Sequence, residues 1–275
     1  KYDYAAFAKP INDESTFAVA FIRFGVDDIL NTTELIDSQG NINYDNISLF
    51  SAVDYAFNVA YARRLPVQGL DLGVNSKIVH RKIGDFASSW GFGLDASLQF
   101  ETRSEWKFGL MVRDITTTFN AWNIDEEEFE KIQNAIPGEN QAAPETLELT
   151  KPKAQFGVAK SFVLFRDFNV LTEIDLNMRF AQTNDLISTS FLSIDPGVGL
   201  QFDYLRMAYL RVGVNNFQNF TDFDGGKTTS MEPNFGVGFR YKGIQIDYAL
   251  ANIGAASGTL YSNVFSVKVD IGYFR

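Results

Sequence analysis

The sequence predicts an all-β protein, a transmembrane antiparallel β-barrel, and three observations support this fold class. Segments of about ten residues that alternate between apolar and polar side chains recur along the chain. The polar positions are mostly Gly, Ala, Asn, Asp, Gln and Ser rather than the Lys and Glu of a solvated surface. Short and long connections alternate between the segments, as in outer-membrane barrels.

The segment 53–62, VDYAFNVAYA, illustrates the alternation. A β-strand sends successive side chains to opposite faces, so one face receives Val and aromatic residues and the other receives Asp, Asn and Ala. A soluble sandwich or a lipocalin-like barrel also alternates, with its apolar set facing inward. Small and amide residues instead fit a crowded polar interior. We therefore expect Tyr55 and Phe57 to face lipid, and Asp54 and Asn58 to face the lumen.

Twelve further segments follow the same pattern, which makes thirteen predicted strands. They cover 2–8, 70–80, 90–100 and 168–180, and they begin near Thr16, Trp106, Pro152, Ile194, Met207, Pro233, Gly243 and Ser262. Because single-chain bacterial barrels have an even number of strands, we expect at least one strand upstream of Lys1 and about fourteen in all. Residues 1–275 are thus expected to form one barrel domain that lacks its N-terminal part.

The connections between the predicted strands fall into a short set and a long set, which alternate along the chain. The short set is 9–15, 66–69, 101–105, 163–167, 205–206 and 242, and the long set is 25–47, 83–89, 117–151, 181–193, 216–232 and 251–261. Outer-membrane barrels have short periplasmic turns and long extracellular loops. We therefore expect the outer membrane of a Gram-negative bacterium, with extracellular long loops and a periplasmic C-terminus.

The composition excludes several classes of function. The chain has no cysteine, which rules out disulfides, thiolate nucleophiles and cysteine metal sites. The net charge of −10 argues against nucleic-acid binding, which needs a basic surface. No run of about 18 apolar residues, the mark of a membrane helix, occurs.

Charged residues of both signs occupy the predicted lumen positions. An ion-selective pore more often favours one sign, so interleaved signs favour paired networks and a plugged or narrow barrel over an open porin. The expected lumen network consists of Asp54, Asp71, Lys77, Arg81, Asp95, Lys107, Arg113, Glu173, Asp175, Arg179, Asp203 and Arg211.

The longest loop, 117–151, contains a helical pattern in IDEEEFEKIQNAI, with Asn123 or Asp125 available as the cap. Its apolar positions at helical spacing are Phe129, Ile132 and Ile136. A short amphipathic helix over the barrel mouth is one interpretation, and a docking surface for a partner is the other.

No catalytic, cofactor or metal site is predicted. His80 shares its face with Ser76, but four residues along a strand place them about 13 Å apart, too far for proton transfer. DFDGG at 222–226 lacks the remaining carboxylates of a calcium loop and is interpreted as an external turn. The glycines of GFGLD are strand glycines facing the lumen, since no helix follows them.

Four stretches resemble the PorV/PorQ family of outer-membrane proteins: IRFGVDDILNTTELID (22–37), KIGDFASSWGFGLDASLQF (82–100), FGLMVRDITTTFNAW (108–122) and LELTKPKAQFGVAKSF (147–162). The resemblance implies a FadL-like barrel of about fourteen strands and a role in the type IX secretion system. It also implies binding of the translocon and of exported proteins through their C-terminal signal domain.

The resemblance points to loop residues as the external partner surface, although the same residues can fix loop conformation by local hydrogen bonds. They are Asn31, Thr32, Thr33, Thr116, Thr117, Thr118, Asn120 and Trp122. Two alternatives remain. One is a FadL-like transporter of hydrophobic small molecules, for which a strand kink at Pro196 is the only hint. The other is a structural subunit of a larger outer-membrane complex.

Overall fold

A computed structural model describes residues 1–36, 39–135, 145–221, 224–251 and 262–274. Within these ranges the chain forms sixteen strands and one α-helix. The chain divides into two compact units, the first of residues Lys1–Leu65, Asp71–Ala96 and Arg113–Pro152, and the second of Pro66–Leu70, Ser97–Val112 and Lys153–Arg275.

The first unit is an antiparallel sheet with one helix. Its elements are β1 (Tyr2–Asn12), β2 (Ser15–Asn31), β3 (Ser48–Arg64), β4 (Leu70–Ile83), residues 87–96 of β5 (Ala87–Glu101), β7 (Thr118–Ile124), α1 (Glu126–Ala135) and β8 (Leu147–Thr150). Strands β1 to β5 pair in chain order, while β7 pairs with β5 and with β8.

The second unit is also antiparallel. Its strands are residues 97–101 of β5, then β6 (Trp106–Arg113), β9 (Lys153–Phe165), β10 (Phe168–Arg179), β11 (Ile187–Ser188), β12 (Ser193–Tyr204), β13 (Ala208–Thr221), β14 (Lys227–Tyr241), β15 (Ile244–Ala251) and β16 (Ser262–Val269). They pair in the order β5-β6-β9-β10-β12-β13-β14-β15-β16, and β11 adds to β12.

Side-chain exposure is inverted relative to a soluble protein. Among the described residues, Val170 is the one buried apolar side chain, whereas nine buried side chains are polar or charged. In β3, Phe57 and Val59 are 56% and 49% exposed, while Asn58 between them is half-buried. Soluble proteins bury apolar residues and expose charged ones. The predicted all-β membrane-barrel fold class is therefore confirmed, and the apolar rows form what we call the membrane-facing side, opposite the polar face.

Each of the thirteen predicted segments coincides with a strand, but several predicted loops are shorter than expected. Both predicted bounds of the loop 216–232 are wrong, because β13 extends to Thr221 and β14 begins at Lys227. There the ladder continues between polar residues, and Thr229 Oγ1 donates to Asn219 Oδ1 at 2.8 Å. Alternation between apolar and polar residues identifies only the part of a strand that contacts lipid. The polar ends of β13 and β14 do not alternate in this way, so they were predicted as loop.

The predicted loops 25–47, 117–151 and 181–193 likewise contain strand residues. Strand β2 continues to Asn31, the two short strands β7 and β8 lie inside 117–151, and β11 lies inside 181–193. Between β7 and β8 lies α1, whose first turn is capped by Asp125: its Oδ1 accepts from the backbone N of Glu128 at 3.0 Å. No helix in the described ranges has the length and apolar character needed to cross a membrane.

Single cysteines can be introduced without interference, since the chain has none. A spin label at Phe57→Cys should be reached by oxygen dissolved in lipid, because Phe57 lies on the membrane-facing side. A label at Asn58→Cys, the matched control one residue away, should be protected from oxygen. Power-saturation EPR in lipid vesicles measures both, and equal oxygen accessibility at the two positions contradicts the assignment of faces.

Candidate functional site

A cluster of charged side chains on the polar face of the first unit is centred on Lys77 of β4. Its Nζ lies 2.9 Å from Asp95 Oδ1 and 2.5 Å from Asp114 Oδ1. All three side chains are largely buried, with 17%, 11% and 11% exposed. Asp95 also accepts from Asn75 Nδ2 and from the backbone N of Asp114, each at 2.9 Å. The cluster therefore pairs one cation with two carboxylates and satisfies them further with amide donors.

Residues 114–117, between β6 and β7, supply Asp114 to this cluster. Asp114 and Thr117 have φ values of 55° and 59°, and Thr117 N donates to Asp114 O at 2.8 Å. Positive φ is rare for a β-branched residue and costs about 1–3 kcal/mol. The turn directs the Asp114 carboxylate towards Lys77 and towards the hydroxyl of Thr118, which donates to it. The strained turn and the ion cluster thus belong together.

Two glycines of β5 leave the space in which β7 packs. A Cβ at Gly93 would collide with Thr118 Oγ1 and lie 2.6 Å from Lys77 Cε, and a Cβ at Gly91 would collide with Asn120 Oδ1. Side chains cannot occupy such positions without displacing their neighbours. The prediction that these glycines face the polar side agrees with this packing.

A second group of polar contacts surrounds Arg81 on the same face. Arg81 lies 3.6 Å from Asp54 Oδ1 and 3.1 Å from Glu148 Oε2, so it joins β3, β4 and β8. The indole Nε1 of Trp122 donates to Glu148 Oε2 at 3.1 Å. Trp122 is thereby held against the polar face by the carboxylate that also pairs with Arg81.

The second unit has its own paired charges. Arg211 donates to Asp247 Oδ1 and to Gln201 Oε1, both at 2.7 Å. Arg179 pairs with Asp185, which is 2% exposed. Asp247 and Asp185 were not among the expected network residues, although Asp247 occupies a polar position in the alternating run of β15. The partners of the predicted arginines are thus partly residues that the alternation pattern did not single out.

The other expected network residues lie apart from these clusters. Asp71 lies 3.6 Å from Arg64, Lys107 lies 3.8 Å from Glu101, and Asp203 accepts from Asn169 at 2.9 Å. Glu173 and Asp175 occupy neighbouring polar-face positions of β10, and Arg113 is exposed at the end of β6. Among the described residues, each unit therefore contains several local clusters of paired charges.

Two loops of the first unit are linked at the long-loop ends of the strands. Lys131 of α1 lies 3.5 Å from Glu34, in the connection after β2, and 2.7 Å from Glu128 within the helix. Asn31 Oδ1 accepts from the backbone N and the hydroxyl of Thr33, at 3.1 and 2.8 Å, which fixes the start of that connection. We call this linked segment pair, 31–36 with 126–131, the loop platform.

The expected partner residues divide into exposed and buried groups. Thr32 and Thr116 are exposed, and Thr33, Thr117, Trp122 and Phe129 are half-buried. Thr118 and Asn120 are 4% and 2% exposed, so they do not form the exposed surface expected of them; β7 turns them towards β5 instead. The side chain of Ile132 and all of Ile136 lie outside the described residues.

The membrane-facing side of the first unit has a concave depression of about 270 Å³. Its lining includes the apolar residues Val59, Tyr61, Leu94 and Ile115 and the small residue Ala96. It adjoins the strained turn at 114–117. Pro196, the sequence's only hint of a strand kink, lies within the unbroken strand β12 and pairs with Leu176.

His80 contacts an aromatic ring and a backbone carbonyl. Its ring stacks on Trp90 with centroids 4.3 Å apart, and its Nδ1 lies 2.9 Å from the carbonyl of Ser89. The described ranges contain no group of three or more His, Cys, Asp or Glu residues arranged to hold a metal ion.

No family model and no curated protein matches this sequence. Solved structures with similar strand arrangements include the toluene transporter TodX of Pseudomonas putida, at 10% identity and a TM-score of 0.49 over 90% of this chain and 75% of that one. A FadL homologue of Pseudomonas aeruginosa is 12% identical, with a TM-score of 0.47 over 90% and 68%. The FrpB iron transporter of Neisseria meningitidis (F5-1 variant) is 9% identical, with a TM-score of 0.47 over 90% of this chain and 44% of that one. Such low identities transfer no ligand or activity.

Replacing Lys77 by Met should lower the free energy of unfolding by about 3–5 kcal/mol, because two largely buried carboxylates lose their cation. The matched control is Lys107→Met, since Lys107 and Glu101 are 3.8 Å apart and more than half exposed. Its effect should be about 1 kcal/mol or less. Urea titration in lipid vesicles measures both, and equal losses would contradict the importance of the cluster.

Gly93→Ala should be destabilising by on the order of 1–3 kcal/mol, because the added methyl group collides with Thr118 and Lys77. Gly109→Ala in β6 is the control, since nothing lies within 4 Å of its added Cβ. Its change should stay within about 0.5 kcal/mol. The same urea titration measures both variants. If Gly93→Ala does not lower the free energy of unfolding, β7 does not pack against Gly93 as described.

Proposed function

We propose that this chain is a non-enzymatic outer-membrane β-barrel of the type IX secretion system. It binds exported cargo, the translocon or both through its long-loop end, which lies outside the cell. It needs no cofactor, and its C-terminus is periplasmic. The observation that carries the proposal is the loop platform, in which an ion pair holds α1 beside the connection after β2.

The resemblance to the PorV/PorQ family supports the secretion role. Two of the resembling stretches, 82–100 and 108–122, meet in the first unit: β5 pairs with β7, and Asp95 and Asp114 share Lys77. Residues that resemble the family are thus used together to build one site. That site holds the turn that leads into β7, and α1 follows β7 in the chain.

The paired charges of the polar face also favour a binding role over an open pore. Lys77 and Arg81 contact Asp95 and Asp54 on neighbouring strands, and Arg211 contacts Asp247 two strands away. Cations and carboxylates are therefore interleaved on the polar face rather than arranged as a ring of one sign. A conducting channel has no need for such pairing, whereas a rigid support for external loops benefits from it.

Exchange of α1 tests the proposal. Replacing residues 126–135 with a Gly-Ser linker of equal length should abolish recovery of exported proteins that share a C-terminal signal domain, in pull-downs from native membranes. The strands should remain folded, as judged by heat-dependent mobility on gels. Deleting all of 117–151 is unsuitable, because Thr118 and Glu148 make polar-face contacts.

The control exchanges the turn 102–105, at the opposite strand ends, for the same type of linker and should leave recovery unchanged. Undiminished recovery after the α1 exchange removes the loop platform from the proposal. Recovery of no such protein by the wild-type chain overturns the secretion role itself.

A second candidate, transport of hydrophobic small molecules, is favoured by the apolar depression beside the strained turn 114–117. If the protein is such a transporter, the purified protein should contain a bound lipid or fatty acid and no protein partner. Mass spectrometry of organic extracts of the purified protein distinguishes the transport function from the secretion function.

A third candidate, a structural subunit of a larger complex, predicts that another protein covers the apolar rows.

A further inference from the structure

One cation lies within an apolar row on the membrane-facing side of the second unit. Lys160 of β9 shares its face with Val158 and Phe162, which pair with Ile174 and Val170 of β10. Ile174 and Phe162 are 54% and 43% exposed, as expected for side chains that meet lipid. A lysine in such a row is costly, and intramembrane ionisable residues commonly have a function.

The lysine side chain is directed towards the short-turn end of the strands. Its ammonium group lies 4.6 Å from the ring centroid of Trp106 and 5.2 Å from that of Phe162. Trp106 is the first residue of β6, immediately after a short turn, and Phe162 lies two residues closer than Lys160 to the turn after β9. The long apolar stem therefore lies along the row while the charge is placed at the level of the aromatic residues.

This level is where tryptophan rings of membrane proteins meet lipid headgroups. Within the described parts of the chain, no carboxylate pairs with Lys160. Glu101 of the same unit pairs instead with Lys107, whose side chain belongs to the opposite face of β6 from Trp106. Two aromatic rings attract a cation but do not neutralise it. An anion supplied by the membrane would complete the site.

We propose that Lys160 and Trp106 form a binding site for the phosphate group of a membrane phospholipid. The ammonium donates to the phosphate oxygens, the indole ring lies beside the headgroup, and an acyl chain extends along the row that contains Phe162. The site uses neither the loop platform nor the polar face, so it is independent of the secretion role.

Native mass spectrometry of the full chain in neutral detergent, titrated with phosphatidylglycerol, tests the site. Lys160→Met should weaken phosphatidylglycerol binding about tenfold, because a charge-assisted hydrogen bond is lost. Lys160→Arg should retain binding, and Trp106→Phe should weaken it less than Lys160→Met. The control Lys107→Met removes an equal charge from the opposite face of the neighbouring strand and should leave binding unchanged.

The titration also distinguishes a phospholipid site from a purely apolar contact and from a site for free phosphate. Methionine suits a lipid-facing position, so Lys160→Met should not unfold the protein, and heat-dependent gel mobility verifies this. Unchanged phosphatidylglycerol affinity in Lys160→Met overturns the proposal. Equal affinity for uncharged diacylglycerol overturns it in favour of acyl contacts alone. Displacement of the lipid by inorganic phosphate at matched concentration overturns it in favour of the free ion.

Discussion

The interior of a lipid bilayer offers no hydrogen-bond partners, and this constraint governs the whole protein. Apolar side chains can face the acyl chains, but every polar group must find its partner within the protein. The described residues reflect this constraint in the distribution of their side chains, since the buried set is almost entirely polar and the exposed rows are mainly apolar. The interleaved charges follow directly, because Lys77, Arg81 and Arg211 each need a carboxylate within reach. Lys77 and Arg81 find one on a neighbouring strand, and Arg211 finds Asp247 two strands away.

The cluster around Lys77 links this constraint to the local backbone. The turn at 114–117, with positive φ at Asp114 and Thr117, places the carboxylate of Asp114 2.5 Å from the ammonium group of Lys77. The turn is strained at Thr117, and the ion pairs and the Thr118 hydroxyl offset that strain. Gly91 and Gly93 have a matching role, since only a residue without a Cβ leaves room for β7 at this distance. Strain, small residues and buried charge are thus parts of one arrangement.

The two ends of the strands have different chemistry. In the second unit the ladder of β13 and β14 continues with polar residues beyond the apolar rows, and in the first unit α1 is linked to the connection after β2. At the short-turn end aromatic rings gather around Lys160, which is suited to contacts with lipid headgroups.

The sequence by itself determined the thirteen strands and their two faces. Successive side chains of a strand alternate between its faces, and contact with lipid makes one face apolar, so the alternation can be read from the residues alone. It also placed Asp54 and Arg81 on the same face, and these residues do contact one another. It did not reveal β7, β8 and β11, which are short and lie in stretches predicted as loops. Only the tertiary structure decided that Asp114 joins Lys77 and that Thr118 and Asn120 are buried, because a positive φ redirects the chain without a periodic signal. The ion pair between Glu34 and Lys131 likewise depends on how two loops fold, which the spacing of residues along the chain does not predict.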